Sequence, residues 1–121
     1  MATEVNGIKF PSKHEASVYQ TLLDLEKEGV VKDIRRQIPI LLSAAKIKMV
    51  VDFQVYSVRD KDIIFIEAKG TETPVYRIKR RLWLAYGPGP LHVYGGSYKR
   101  PKLKETLIPT SLIVEEEDLS N

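Results

Sequence analysis

Three charged residues stand where charge is expensive. Asp52 sits within Val50-Val51-Asp52-Phe53, and Glu67 and Lys69 close the run Ile63-Ile64-Phe65-Ile66-Glu67-Ala68-Lys69. An unpaired charge among apolar strand residues costs several kcal/mol. Residues two apart on a strand point the same way, so Glu67 and Lys69 share a face. If the two segments pair as a hairpin, Asp52 projects from that face too. Converging carboxylates repel unless a proton or cation intervenes, and an oxygen-ligating divalent ion such as magnesium is the usual answer. A lysine beside them can orient or help deprotonate a water, or stabilise negative charge developing on a phosphate. The bland alternative is a surface ion pair across the strands, worth under about 1 kcal/mol. The unbroken apolar run before Glu67 argues against it.

These residues need elements to hold them. A helix is predicted over residues 12–28, with Ser12 at the N-cap and Glu15 at capping-box spacing. Ala16, Tyr19, Leu22 and Leu23 recur at helical spacing, and Gly29 is its stop. Residues 30–42 read as extended, with Pro39 favouring a sheet edge. Strands follow at 47–56 and 62–69, joined by a polar turn at 59–61 and ended by Gly70. A basic helix is expected over 74–86, with Val75, Ile78 and Leu82 in its apolar stripe. A short strand at 91–94 lies between loops at 87–89 and 95–97. The apolar stretch within 106–114 reads as a strand or as a patch for a partner chain. The simplest arrangement is α/β, a mixed central sheet flanked by helices. One domain is expected over 1–114, and 115–121 is an acidic tail read as disordered.

Composition narrows the chemistry. The chain of 121 residues has no cysteine, which excludes a disulfide scaffold, a thiolate zinc site and a cysteine nucleophile. Two histidines argue against a histidine-rich metal site. No apolar run approaches the roughly 20 residues of a membrane span. The start, MATEVNGIKF, has no long apolar core, so no signal peptide and a cytoplasmic setting are expected. The net charge is only +3, but residues 69–104 hold nine cations against Glu72 alone. Those nine are Lys69, Arg77, Lys79, Arg80, Arg81, Lys99, Arg100, Lys102 and Lys104. Such density commonly meets phosphates, although a solvated face looks the same. Arg77, Lys79, Arg80 and Arg81 are candidates to line a DNA path. Lys99, Arg100, Lys102 and Lys104 read as a mobile basic segment.

Asp52, then Glu67-x-Lys69 after a helix carrying Glu15, resembles the nuclease superfamily named for its PD-(D/E)-x-K motif. The resemblance is strongest to phage endonuclease I type Holliday junction resolvases and related phage nucleases. Their opening Gly-x-(Lys/Arg)-Phe/Tyr-x-Ser-x-x-Glu is matched by Gly7-Ile8-Lys9-Phe10-Pro11-Ser12-Lys13-His14-Glu15. Their Asp-Phe is matched by Asp52-Phe53, and their Glu-x-Lys-Gly by Glu67-Ala68-Lys69-Gly70. Transposon-end endonucleases on the same core carry a segment similar to Ile34-Arg35-Arg36-Gln37. Val51 departs from the motif's proline.

The resemblance implies a restriction-endonuclease-like core of helix, three strands, helix and strand over roughly residues 7–94. It implies Glu15, Asp52, Glu67 and Lys69 as catalytic residues. It also implies magnesium, with manganese as a substitute, on Asp52 and Glu67 with Glu15 and the Ala68 carbonyl. Gln37 and His14 are further candidates, the first reaching in from its strand and the second touching a phosphate. The expected substrate is branched DNA cut by a homodimer, leaving a 5′-phosphate and a 3′-hydroxyl, in an intracellular protein of phage or prokaryotic type. Two other readings remain open: a nuclease of duplex, flap or transposon-end DNA directed by a partner, and a non-catalytic DNA-binding module on the same fold.

Overall fold

A computed structural model describes residues 3–42, 46–69 and 73–110. It opens with a hairpin that sequence reasoning missed, β1 (Thr3–Val5) and β2 (Ile8–Phe10). Asn6 and Gly7, both at positive φ, turn it, which is the Asn-Gly preference of tight hairpins. Three-residue strands are too short to leave an alternation signal. The hairpin delivers Phe10 into the core, where its ring meets Tyr19 and Phe53 at 5.1 and 6.3 Å.

Helix α1 (Lys13–Lys27) starts where the capping box places it, with the Ser12 side chain accepting the Glu15 N–H at 3.1 Å. Five strands then build one sheet in chain order: β3 (Val31–Leu41), β4 (Lys48–Ser57), β5 (Asp62–Ala68), β6 (Leu91–Ser97) and β7 (Arg100–Leu107). Helix α2 (Pro74–Tyr86) crosses from β5 to β6, and that pair alone is parallel. The result is a mixed α/β architecture. Strand β3 takes the edge that Pro39 requires.

Two expectations give way at the C-terminal side. The residues 95–97 do not form a loop: they continue β6, which turns at Tyr98 and Lys99 into β7. The segment read as mobile is therefore largely β7, paired from Arg100 to Leu107 against β6. Lysine-rich strands lack an apolar run, and only cross-strand pairing with Leu91 to Ser97 reveals them. Of the described residues in the stretch at 106–114, Thr106 and Leu107 are strand and 108–110 are not; residues 111–121, with the tail, lie outside the described residues.

The sheet separates two cores. Ile64 and Ile66 on β5 pack with Ala16, Val18, Tyr19 and Leu22 of α1, while Phe65 packs with Tyr76 and Trp83 of α2. Alternation along β5 thus puts the two helices on opposite faces. Trp83 is fully buried, donates its indole N–H to the Gly89 carbonyl at 2.9 Å and meets Phe65 edge-on. On β4, Met49 and Val51 join the α2 core, whereas Phe53 and Val55 join the α1 core. The strand changes cores at Asp52.

Candidate active site

The β4–β5 register pairs Phe53 with Ile66, so Asp52 stands across from Glu67, as the hairpin reading requires. The two carboxylates hold each other's strands. Glu67 Oε1 accepts the Asp52 backbone N–H at 3.0 Å, and Asp52 Oδ2 accepts the Ala68 N–H at 2.9 Å. Glu15 joins them from the first turn of α1, buried to 7% exposure. Gln37 reaches it from β3, its amide donating to Glu15 Oε2 at 3.4 Å. Gln37 lies between the pairs Arg36–Phe53 and Ile38–Val51, and so faces Asp52 in the ladder. Its φ of 54° is left-handed, a conformation a side chain rarely adopts inside a strand. Such strain persists where the surrounding structure enforces it, and it clusters at working sites.

Burial and like charge dominate the electrostatics. Desolvation first, then the Glu67 charge, pushes Asp52 up to about 7. Desolvation, then Asp52, pushes Glu15 up to about 7 as well. Burial also raises Glu67. Three carboxyls that cannot all ionise near neutrality need a proton or a cation among them. Two cations lean on the cluster. Arg36 approaches Glu15 Oε2 at 3.8 Å while its guanidinium lies over the Phe10 ring at 4.4 Å. The Lys79 charge, on the half-buried side of α2, opposes the rise of Glu67. Sequence reasoning placed Lys79 on the DNA path and gave Arg36 no role. Only the folded helix and strand show that both charges face carboxylates.

Other candidates land elsewhere than expected. The Lys69 backbone N–H donates to the Tyr94 carbonyl at 2.8 Å, but its ammonium lies over the Tyr76 ring, 4.6 Å from the centroid. Among the described residues no ion pair joins it to Asp52 or Glu67. His14 turns inward: its Nε2 is 2.9 Å from the same Tyr94 carbonyl, and a carbonyl can only accept, so this nitrogen carries the proton. It fixes α1 against β6. Arg80 also differs from expectation. Its guanidinium grips both Glu105 oxygens, at 2.9 and 2.8 Å, and so ties α2 to β7. Arg77 and Arg81 are exposed on α2. Lys99 and Arg100 are exposed at the tip of the β6–β7 hairpin. Since Ala68 pairs with Tyr94, that tip extends beyond the end of β5 that carries Glu67.

The donor set suits a hard cation: three largely buried carboxyls, each with one oxygen turned to an N–H or arginine, and Asp52 hydrogen-bonded to both glutamates through carboxyl contacts that need a shared proton. Among the described residues no group of three or more His, Asp or Glu side chains is placed to hold a metal ion. A cavity of about 550 Å³ lies apart from the carboxyls, lined by Leu22, Leu25, Val55, Ile64, Ile66 and His92 among others. None of the three carboxylates lines that cavity. Among the described residues no helix is long and apolar enough to cross a membrane.

One family model, described as Protein of unknown function (DUF1064), matches residues 2–86. No curated protein and no solved structure matches the chain. The matched span covers α1, β3, β4, β5 and α2, and with them Glu15, Asp52, Glu67 and Lys69.

Proposed function

The chain belongs to the family described as Protein of unknown function (DUF1064), and from its site we propose that it is a metal-dependent DNA endonuclease on a restriction-endonuclease-like core. The order α1, β3, β4, β5, α2, β6 supports that core. One observation carries the reading. Carboxylates from three separate elements, Glu15, Asp52 and Glu67, come together, and burial with their mutual charge raises all three, two of them to about 7.

Asp52 and Glu67, with Glu15 and the Ala68 carbonyl, would hold magnesium or manganese. A bound ion supplies Lewis-acid chemistry: it polarises phosphoryl oxygens and makes water more acidic. The chain's own residues do the rest. Glu67 and Asp52 fix each other's strands, so the site is set before substrate arrives. Gln37 and Arg36 aim Glu15. Lys69 brings a positive charge to the end of β5, where it orients water for in-line attack or steadies charge on the phosphate. Arg77, Arg81, Lys99 and Arg100 flank the site with positive charge for the DNA backbone. Branched DNA is the substrate we favour, cut by a homodimer, because paired cuts across a junction need two active sites.

A cleavage assay on a four-way junction and on linear duplex with the same arms tests this, with magnesium, with chelator, and with Asp52→Asn protein. Metal-dependent cuts near the branch point that vanish in the variant are expected. Equal cutting of both substrates keeps the endonuclease and removes the junction preference. DNA binding without cutting, in magnesium and manganese alike, leaves a binding module or a nuclease that needs a partner.

A further inference from the structure

We propose that Tyr76 is the positioning residue for Lys69, and that Glu105 and Arg80 lock Tyr76 in place. The inference rests on Lys69 belonging to the catalytic site proposed above. It begins with a lysine whose backbone is fixed and whose head is not. Lys69 is anchored through its N–H on Tyr94, yet four rotatable bonds separate that anchor from the ammonium. Among the described residues no carboxylate pairs with it. What meets the ammonium is the face of the Tyr76 ring, at 4.6 Å, well within the range at which an aromatic quadrupole holds a cation.

The ring is itself held from three sides. Thr73 caps α2 and accepts the Tyr76 backbone N–H at 3.1 Å, which fixes the start of the helix. The Tyr76 side chain is packed into the α2 core with 6% exposure. Its phenol touches Glu105 Oε1 at 3.4 Å, and Arg80, one turn along the same helix face, clamps Glu105 with two bonds. Burial and Glu105 push the phenol up to about 12, so it stays a neutral donor. Arg80 thereby has a use that its place in a basic helix hides. The Arg80–Glu105 clamp fastens β7 to α2, Tyr76 rides on it, and Lys69 lies on Tyr76.

The test is NMR of lysine side chains in the full chain, with the Lys69 signal assigned through Lys69→Met, followed by single-turnover DNA cleavage. The Lys69 Hε protons should appear upfield of the exposed lysines because they lie over a ring. Tyr76→Phe keeps the ring but loses the Glu105 contact, so it should keep a smaller upfield shift and at least a third of the cleavage rate. Tyr76→Leu should abolish the shift and slow cleavage tenfold or more at unchanged DNA affinity. An unshifted Lys69 in the wild-type protein overturns the proposal even if Tyr76→Leu fails to fold. So does a folded Tyr76→Leu that cleaves at the wild-type rate. The shift needs neither DNA nor metal. A wild-type chain that cleaves nothing removes the nuclease reading, while the shift still decides whether the ring holds the lysine.

Discussion

Removing one charge from the carboxylate cluster should stabilise the protein, and only at high pH. Asp52→Asn deletes the charge but keeps an oxygen for the Ala68 N–H, and its new amide can donate toward Glu15 or Glu67. A carboxyl raised in the folded state binds its proton more tightly folded than unfolded. Stability therefore falls as pH rises from the unfolded value to the folded one. For Asp52 that window runs from 3.8 to about 7. Its full width is worth roughly 4 kcal/mol at about 1.4 kcal/mol per unit. Glu15 shares part of the same repulsion, so the expected gain for the variant at pH 8.5 is roughly 2–4 kcal/mol. For a chain this long that is about 10 °C in midpoint. Burial lowers His92, whose contribution is lost as pH falls below its ordinary 6.5. Both proteins carry His92, so their difference cancels it. Thermal unfolding followed by circular dichroism in chelator, at pH 4 and 8.5, is the assay. The two proteins should unfold alike at pH 4 and diverge at pH 8.5. A variant less stable than wild type at pH 8.5 would refute the claim that the carboxylates strain one another.

Three further outcomes follow from particular contacts. Ser12→Ala removes the cap on the Glu15 N–H and should lower stability by about 1 kcal/mol in urea unfolding. Gly87→Ala places a Cβ 2.7 Å from the Trp83 ring. Overpacking of this kind should lower stability by about 1–3 kcal/mol, with a change in tryptophan fluorescence. Glu67→Gln should abolish cleavage while leaving the fold intact by circular dichroism, since its Oε1 still accepts the Asp52 N–H.

Strong local signals carried most of the fold. The capping box at Ser12 and Glu15, the alternation in β4 and β5, and Pro39 at the edge each act within a few residues, and each is visible in the chain. The β1–β2 hairpin and β7 were not, because one is too short and the other too charged to show alternation. Their identity lies in partners distant in sequence, such as Leu91 opposite Leu107. The site divides along the same line. Asp52 and Glu67 were legible because charge is costly inside apolar strands, and a simple register brings them together. The roles of Lys79, Arg36 and Tyr76 were not, because each depends on which face of an element meets the carboxylates or Lys69. Arg80 and His14 carried the right chemistry for phosphate contact, but tertiary packing gives them Glu105 and the Tyr94 carbonyl.

Manganese binding to the metal-free protein at pH 7.5, counted from the loss of the free-ion electron paramagnetic resonance signal, addresses the carboxylate cluster most directly. Wild-type protein should bind manganese saturably and unfold at a higher temperature when loaded. Asp52→Asn and Glu67→Gln should each weaken that binding by tenfold or more. Wild-type protein that leaves manganese free, or variants that bind it as tightly as wild type does, would contradict the assignment of Glu15, Asp52 and Glu67 as a cation-holding catalytic centre.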